Sequence, residues 1–181
     1  AVICIEDPLR EEAPAVVKAL KKAGFTKVVM MTGDSERTAK AVAAKVGVDE
    51  YYSEVLPEDK ASFVEKEKAK GRKVVMLGDG INDSPALSAA DAGIAVSEGA
   101  EIAREIADIT IGADDLSVVV TLKEISNGLM DKIHKNYRRI VGINGSLIAL
   151  GVTGVIQPTM SALLHNTSTL LIGMDSMKSV L

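Results

Sequence analysis

The ten residues GDGINDSPAL, residues 78–87, directly follow the compact apolar run of residues 74–77. They place Asp79 and Asp83 four positions apart, with a glycine on each side of Asp79. Glycine lets a ligand approach the backbone closely, and carboxylate oxygens are the ligands that Mg²⁺ prefers. The stretch therefore predicts a Mg²⁺ site at the end of a buried strand, with Asp79 as ligand and with Asn82 and Asp83 supporting it. The alternative is an ordinary turn, which requires fewer functional groups than these residues supply.

Strand-like and helix-like segments alternate on both sides of this stretch. Such alternation with short turns predicts an α/β domain with a largely parallel, Rossmann-like sheet. Because crossovers between parallel strands are right-handed, functional groups should gather at the carboxyl ends of the strands. The predicted strands are residues 2–5, 27–31, 51–55, 73–77, 94–96 and 109–111, and the predicted helices are residues 11–23, 36–46, 57–70 and a short one from Ser84.

Two further loops carry polar groups beside a strand end or a helix start. Thr32, Gly33 and Asp34 follow the second predicted strand, where a hydroxyl and free backbone N–H groups suit a phosphoryl oxygen. The alternative there is a helix cap made by Asp34 or Ser35. Lys60 lies near the start of a predicted helix, where the helix dipole disfavours a cation unless an anion is close. The alternative for Lys60 is a solvated surface lysine.

The last third of the chain differs in composition from the rest. Residues 116–139 are helix-compatible, amphipathic and basic at their end, whereas residues 140–156 and 159–174 are apolar and nearly free of charge. Apolar stretches of this length after a basic cluster predict two transmembrane helices with a cytoplasmic flank. The alternative is a buried helical hairpin of a soluble protein. The predicted domains are an α/β domain at residues 1–115, a linker helix at 116–139 and a membrane hairpin at 140–181.

Composition excludes some classes of function. The chain has 181 residues and a formal net charge of −4, which argues against a general nucleic-acid partner. Its single cysteine rules out an internal disulfide framework and a cysteine-based metal cluster within the chain. No basic leader precedes an apolar run at the start, and the first residues already read as a strand, so we expect a portion of a longer protein.

Four ordered motifs carry a resemblance to a known family. The motifs are DPLR at residues 7–10, MTGD at 31–34, PEDK at 57–60 and GDGINDSPAL at 78–87. In order and spacing they resemble the phosphorylation domain of P-type ATPases, which is of the haloacid dehalogenase type. The subgroup that the chain most resembles is the heavy-metal transporters, whose phosphorylation domain leads through an amphipathic segment into two final membrane helices. The resemblance runs from residue 1 to the C-terminus.

The resemblance implies roles for matching residues in an ATP- and Mg²⁺-dependent reaction. It implies that Thr32, with Gly33 and Asp34, holds the transferring phosphoryl group, that Lys60 neutralises its charge, and that Asp79 and Asp83 serve the Mg²⁺ site with Asn82. It also implies that Asp7 and Arg10 lie toward the nucleotide. The nucleophilic aspartate of the family stands in an Asp-Lys-Thr-Gly-Thr loop that these residues do not contain. We therefore expect the fragment alone to be inactive, with an unpaired sheet edge where the missing strand would lie.

Polar residues on the last apolar stretch suggest the path of a transported ion. At 100° per residue, His165 shares one helix face with Ser161, Ser168, Thr169 and Asp175. Polar groups at membrane depth usually face a pathway, and imidazole, hydroxyl and carboxylate ligands favour a divalent transition metal such as Zn²⁺ or Mn²⁺. We predict His165, Ser168, Thr169 and Asp175 as ligands, with Asn144 and Ser146 as weaker candidates. The alternative is hydrogen bonding between packed helices, or a hydrated Asp175.

The sequence thus predicts the C-terminal part of a multi-pass membrane pump for a transition-metal cation. Its partners would be the lipid bilayer and the missing N-terminal part of the same protein, with the phosphorylation domain in the cytoplasm and the cell membrane as the expected location. Two alternatives remain open at this stage. One is a membrane-tethered phosphatase of the haloacid dehalogenase superfamily, and the other is a non-catalytic truncated membrane module.

Overall fold

The computed structural model describes residues 9–79, 82–96, 105–112 and 115–179. The chain divides into two compact units, residues 1–120 and residues 121–181. Unit 1 is an α/β domain and unit 2 is helical. The first predicted strand, residues 2–5, lies outside the described residues.

Unit 1 alternates helices and strands as predicted. Gly47, with φ of 79°, ends the second helix in the left-handed conformation that glycine adopts without strain. The third helix begins with Pro57, and the Asp59 carboxylate accepts a hydrogen bond from the Leu56 N–H at 3.4 Å. The elements are α1 (Ala13–Lys22), β1 (Val29–Met31), α2 (Glu36–Val46), β2 (Glu50–Tyr52), α3 (Pro57–Ala69), β3 (Val75–Gly78), α4 (Ser84–Ala89), β4 (Ala92–Val96) and β5 (Ile109–Ile111).

All the strand pairs in the described ranges are parallel, which confirms the predicted class of sheet. β1 pairs with β2, and Met30 lies opposite Tyr51. β3, β4 and β5 form a second sheet in that order, with Leu77 opposite Ile94 and Ala95 opposite Thr110. In the described ranges these two sheets are not hydrogen-bonded to each other. The strand ends that carry the predicted site residues therefore belong to β1 in one sheet and β3 in the other.

One apolar core lies beneath both sheets. Val64 of α3, Met76 of β3 and Ala86 and Leu87 of α4 are buried together, and Met31 of β1 packs against them. Because β1 and β3 share this core, α3 and α4 fix both strands relative to each other. Gly93 in β4 allows α4 to pack closely, because a Cβ there would lie 2.7 Å from the Leu87 carbonyl oxygen.

A buried carboxylate fastens the end of α3. Glu67 is 7 % exposed, and its carboxylate accepts hydrogen bonds from Lys70, at 2.7 Å, and from Arg72. These two cations lower the pKa of Glu67 from its ordinary value of 4.5. The ionised form of Glu67 therefore stabilises the fold above pH 4.5, and this contribution is lost as the pH falls below that value.

We expect Glu67→Gln to lower the melting temperature at pH 7, because the amide forms weaker bonds to the two cations. The difference in melting temperature between the wild type and the variant should narrow as the pH is lowered below 4.5. Thermal unfolding followed by circular dichroism between pH 3 and pH 8 measures both effects. Glu65→Gln, on an exposed position of the same helix, is the matched control. A difference in melting temperature that stays constant with pH would contradict a stabilising role for ionised Glu67.

Unit 2 consists mainly of two helices. α5 (Ser117–Val152) is 36 residues long and continuous, so no helix break separates the predicted linker at residues 116–139 from the apolar stretch that follows. α6 (Pro158–Ser176) begins after Gln157, at the break that the proline predicted. The three-part division of the chain stays a prediction.

The two predicted transmembrane helices are not confirmed. Across the ranges that the structure describes, no helix combines the length and the apolarity that a membrane crossing requires. The physical reason lies in the polar groups. Lys135, Arg138 and Arg139 belong to the same helix as the first apolar stretch, and His165 and Asn166 interrupt the second.

Candidate functional site

The centre of the candidate site is an ion pair between two helix starts. Lys60 lies in the first turn of α3, and Asp83 immediately precedes α4. The Lys60 Nζ lies 2.6 Å from the Asp83 Oδ1, and the two side chains are only 14 % and 13 % exposed. Charges this poorly hydrated are tolerated when they are paired. Asp83 is therefore the anion that the unfavourable position of Lys60 required.

Gly78 forms the wall behind this ion pair. A Cβ at Gly78 would lie 2.5 Å from the Asp83 Oδ2 and 2.6 Å from the Asp83 Cβ. The Asp83 side chain therefore packs directly on the backbone at the end of β3. The sequence predicted that glycine would admit an ion here, whereas at Gly78 the space is used by the carboxylate itself. This steric role was missed, because the sequence does not show which way the Asp83 side chain turns.

Thr32 and Asp34 close a polar turn at the end of β1. The Thr32 hydroxyl donates to the Asp34 Oδ2 at 2.8 Å and accepts from the Asp34 N–H at 3.1 Å. Ser35 occupies the cap position of α2 but makes no side-chain capping bond. The capping alternative is therefore not observed for Ser35. Thr32 is half-buried, whereas Gly33 and Asp34 are exposed.

Main-chain hydrogen bonds join this turn to the segment that leads into α3. The Thr32 N–H donates to the Tyr52 carbonyl at 3.0 Å, and the Val55 N–H donates to the Thr32 carbonyl at 3.0 Å. The Glu54 N–H donates to the Asp34 carbonyl at 2.9 Å. These three bonds, which we call the backbone seam, couple the Thr32 turn to the helix that carries Lys60. The Thr32 turn is thus tied to α3, and through Lys60 to Asp83.

The residues present suit Mg²⁺ held jointly with a phosphate. Asp79 is exposed on the loop directly after β3, next to the glycine that contacts Asp83. In the parts of the chain that the structure describes, no group of three or more His, Cys, Asp or Glu side chains could hold a metal ion. Mg²⁺ is usually bound by one or two carboxylates, several waters and substrate phosphate oxygens. One exposed carboxylate, four positions before Asp83 in the chain, fits that donor set and does not fit an all-protein metal cage.

The remaining predicted residues of unit 1 are less well placed. Arg10 lies 3.7 Å from the Glu12 carboxylate on the surface before α1. Asn82 is exposed on the loop before α4. Asp7 lies outside the described residues. The nucleotide-side roles of Asp7 and Arg10 stay predictions.

In unit 2 the predicted ion ligands separate into two groups. His165 Nδ1 lies 2.8 Å from the Asn144 Oδ1 on the other helix. The hydroxyls of Ser168 and Thr169 both donate to the His165 carbonyl, at 2.8 Å and 2.9 Å. His165, Ser168 and Thr169 therefore share one place in the helical unit, and Asn144 joins them.

Asp175 lies apart from this group, at the end of α6. Its carboxylate pairs with Arg139 at 2.8 Å and with Lys178 at 2.8 Å. The hydrated Asp175 of the alternative is thus an ion-paired one, and its role as a ligand for a transported cation stays a prediction.

A comparison with known protein families identifies the family of this chain. The pattern of the haloacid dehalogenase-like hydrolases matches residues 1–91, and a second pattern of the same description matches residues 61–122. The chain belongs to the haloacid dehalogenase-like hydrolases. The expected α/β domain of this family is thereby confirmed.

This haloacid dehalogenase-like chain is also similar to heavy-metal P-type ATPases. It is 37 % identical over 180 residues to a manganese-exporting P-type ATPase of Mycobacterium leprae, covering 99 % of the chain and 25 % of that protein. It is 42 % identical over 164 residues to copper-transporting ATPase 2 of Rhizobium meliloti, covering 91 % of the chain and 20 % of that protein.

A solved structure extends the similarity to three dimensions. The crystal structure of a zinc-transporting PIB-type ATPase in its E2·Pi state matches 94 % of this chain with a TM-score of 0.85 and 32 % identity, and the match covers 28 % of that protein. The resemblance to heavy-metal P-type ATPases is therefore confirmed. The chain spans about a fifth to a quarter of the length of the curated relatives it matches.

Proposed function

We propose that the chain is the C-terminal portion of an ATP-driven pump for a transition-metal cation. The pump would work through an aspartyl phosphate whose nucleophilic aspartate lies outside these residues. The single observation that carries the proposal is the ion pair of Lys60 with Asp83, at 2.6 Å and poorly hydrated, on a helix tied to the Thr32 turn. A fixed ammonium group, on a helix whose preceding segment is hydrogen-bonded to a hydroxyl-bearing turn, suits a phosphoryl group in transfer.

Each residue of the site has a part in this proposal. Lys60 would donate to a phosphoryl oxygen while Asp83 keeps its ammonium group in place. The Thr32 hydroxyl and the N–H groups of Gly33 and Asp34 would hold a second oxygen. Asp79, with the neighbouring Asp83 and with Asn82 in support, would hold Mg²⁺, which neutralises charge on the phosphate and its leaving group when bound. ATP is the phosphoryl donor in this scheme, with Arg10 and Asp7 on the nucleotide side.

The cation is proposed from the relatives and from His165. The relatives named above carry manganese, copper and zinc in their descriptions, which supports a transition metal as the cargo. Imidazole is a common ligand for such ions. The proposed setting is a cell membrane, with unit 1 on the cytoplasmic side, and the rest of the same protein is the required partner.

The proposal predicts the effect of Asp79→Asn in the longer protein that contains this chain. An amide is a poorer Mg²⁺ ligand than a carboxylate, so Mg²⁺-dependent phosphoenzyme should fall by at least about 100-fold. Acid-quenched labelling with γ-³²P-ATP, with and without transition metal, measures it. Asp131→Asn makes the same chemical change at an exposed position of α5 and should have no effect. Undiminished phosphoenzyme in Asp79→Asn would exclude Asp79 from the site.

Hydrolysis assays, together with the same labelling, distinguish the phosphatase and the non-catalytic module from a pump. A phosphatase would hydrolyse phosphate monoesters such as p-nitrophenyl phosphate without dependence on a transition-metal cation. A non-catalytic module would leave the labelling of the longer protein intact when Asp79 is replaced. A pump requires that the metal ion stimulate ATP turnover.

A further inference from the structure

A hydrogen bond between the two helices of unit 2 determines the tautomer of His165. His165 of α6 and Asn144 of α5 are 21 positions apart in the chain, and their side chains meet at 2.8 Å. The contact joins the His165 Nδ1 to the Asn144 Oδ1. An amide oxygen can only accept a hydrogen bond, so the proton of the neutral imidazole resides on Nδ1. The Nε2 atom then keeps its lone pair and is the ring's acceptor or metal-binding atom.

This arrangement is the one that histidine ligands use. Metal-binding imidazoles usually donate their second ring N–H to an oxygen, which fixes the tautomer and the orientation of the ring. The hydroxyls of Ser168 and Thr169 are directed to the His165 carbonyl, so neither of these bonds acts on the ring. The hydrogen bond that orients the ring is the one with Asn144.

We propose that Asn144 is a positioning residue for His165. It holds the imidazole in the Nδ1–H tautomer, so that Nε2 is presented to a transition-metal cation of borderline softness such as Zn²⁺. The relevance of the cation rests on the function proposed above, whereas the tautomer does not. An amide that merely linked two packed helices would stabilise them without any effect on metal binding at Nε2.

The histidine content of the chain makes the tautomer measurable. The chain has two histidines, and the other one, His134, is exposed on α5. Labelling the full 181-residue chain with ¹⁵N-histidine gives two ring systems, and a His134→Gln version leaves His165 alone. The ¹⁵N shifts of a neutral imidazole differ between its two tautomers, so they report which nitrogen carries the proton. We expect Nδ1–H for His165.

Three variants then separate positioning from packing. Asn144→Leu keeps a similar volume and removes the acceptor, so His165 should shift toward the Nε2–H tautomer and bind added Zn²⁺ about 10-fold more weakly. Asn144→Asp keeps an acceptor oxygen and should retain both the tautomer and the binding. Thr167→Val removes a hydroxyl that donates to the Leu163 carbonyl in the same helix, and it should change neither. Zn²⁺ alone is the probe, and binding is read from the Nε2 shift of His165.

Several outcomes would overturn the proposal. One is the Nε2–H tautomer in the wild type, and another is an unchanged tautomer in Asn144→Leu. A Zn²⁺ titration that leaves the His165 Nε2 shift unmoved in the wild type would also overturn it. Equal weakening of Zn²⁺ binding in Asn144→Leu and Thr167→Val would indicate packing alone. No nucleotide is used, so these results are independent of the Asp79 experiment on phosphoryl transfer.

Discussion

Lys60→Met is expected to lower phosphoenzyme formation in the longer protein by at least about 100-fold, because a fixed charge on the phosphoryl group is lost. The same substitution should destabilise unit 1 by about 3 kcal/mol, since it leaves the Asp83 carboxylate buried without its cation. The Lys60 and Asp83 side chains are only 14 % and 13 % exposed, so water cannot readily replace the missing partner. Acid-quenched ³²P labelling and urea unfolding of the chain measure the two effects.

A second variant separates stability from chemistry at this ion pair. Adding Asp83→Asn to Lys60→Met removes the unpaired charge, so the double variant should recover much of the lost unfolding free energy. Phosphoenzyme should remain absent in the double variant. Lys40→Met replaces an exposed lysine of α2 and should leave both measurements at the wild-type level. Normal labelling in Lys60→Met would remove Lys60 from the phosphoryl site.

Gly78→Ala is expected to reduce phosphoenzyme formation about as strongly as Lys60→Met does, although it adds only a methyl group. The new Cβ would meet the Asp83 Oδ2 at 2.5 Å and the Asp83 Cβ at 2.6 Å, which is inside normal van der Waals contact. Either Asp83 moves away from Lys60 or the end of β3 shifts. We expect a loss of about 1–3 kcal/mol from the overpacking, together with a large loss of phosphoenzyme. Unfolding and labelling of the same preparation test both parts.

Two other glycines provide controls for this prediction. Among the described residues, a Cβ at Gly112 meets no heavy atom within 4 Å, so Gly112→Ala should be neutral in both assays. A Cβ at Gly93 lies 2.7 Å from the Leu87 carbonyl and away from Asp83, so Gly93→Ala should reduce stability by a mechanism that spares the ion pair. If Gly78→Ala behaved like Gly112→Ala, the contact between Gly78 and Asp83 would not matter to the site.

The elements of unit 1 could be predicted where local signals are strong. α2 has the predicted bounds because Ser35 and Gly47 mark its two ends, and β5 also matches. β1, β2 and β3 are shorter than the predicted strands and β4 is longer, since pairing with a neighbouring strand and not apolarity decides their ends. The membrane hairpin was predicted from a lack of charge over residues 140–174. Among the described residues, no helix is long and apolar enough to cross a membrane, so this prediction is not confirmed.

The candidate site was predictable in its residue types but not in its contacts. The helix dipole predicted that Lys60 needs an anion nearby. The sequence could not identify Asp83 as that anion, because the contact depends on how α3 packs against α4. The helical wheel placed Asp175 on the same helix face as His165. In the structure, the Asp175 carboxylate instead forms ion pairs with Arg139 and Lys178, which do not belong to that face. The contact between Asn144 and His165 could not be predicted, because a helical wheel drawn for one helix does not show the side chains of a neighbouring helix.

The backbone seam determines which substitutions its residues can tolerate during evolution. Its hydrogen bonds use only main-chain atoms of residues 52–55 and of the Thr32 turn, so most side chains there can drift without disturbing the alignment of the two loops. Proline is excluded at 54 and 55, because both positions donate an N–H. Glu54, with φ of 54°, is a site where natural variation should lean toward glycine or asparagine.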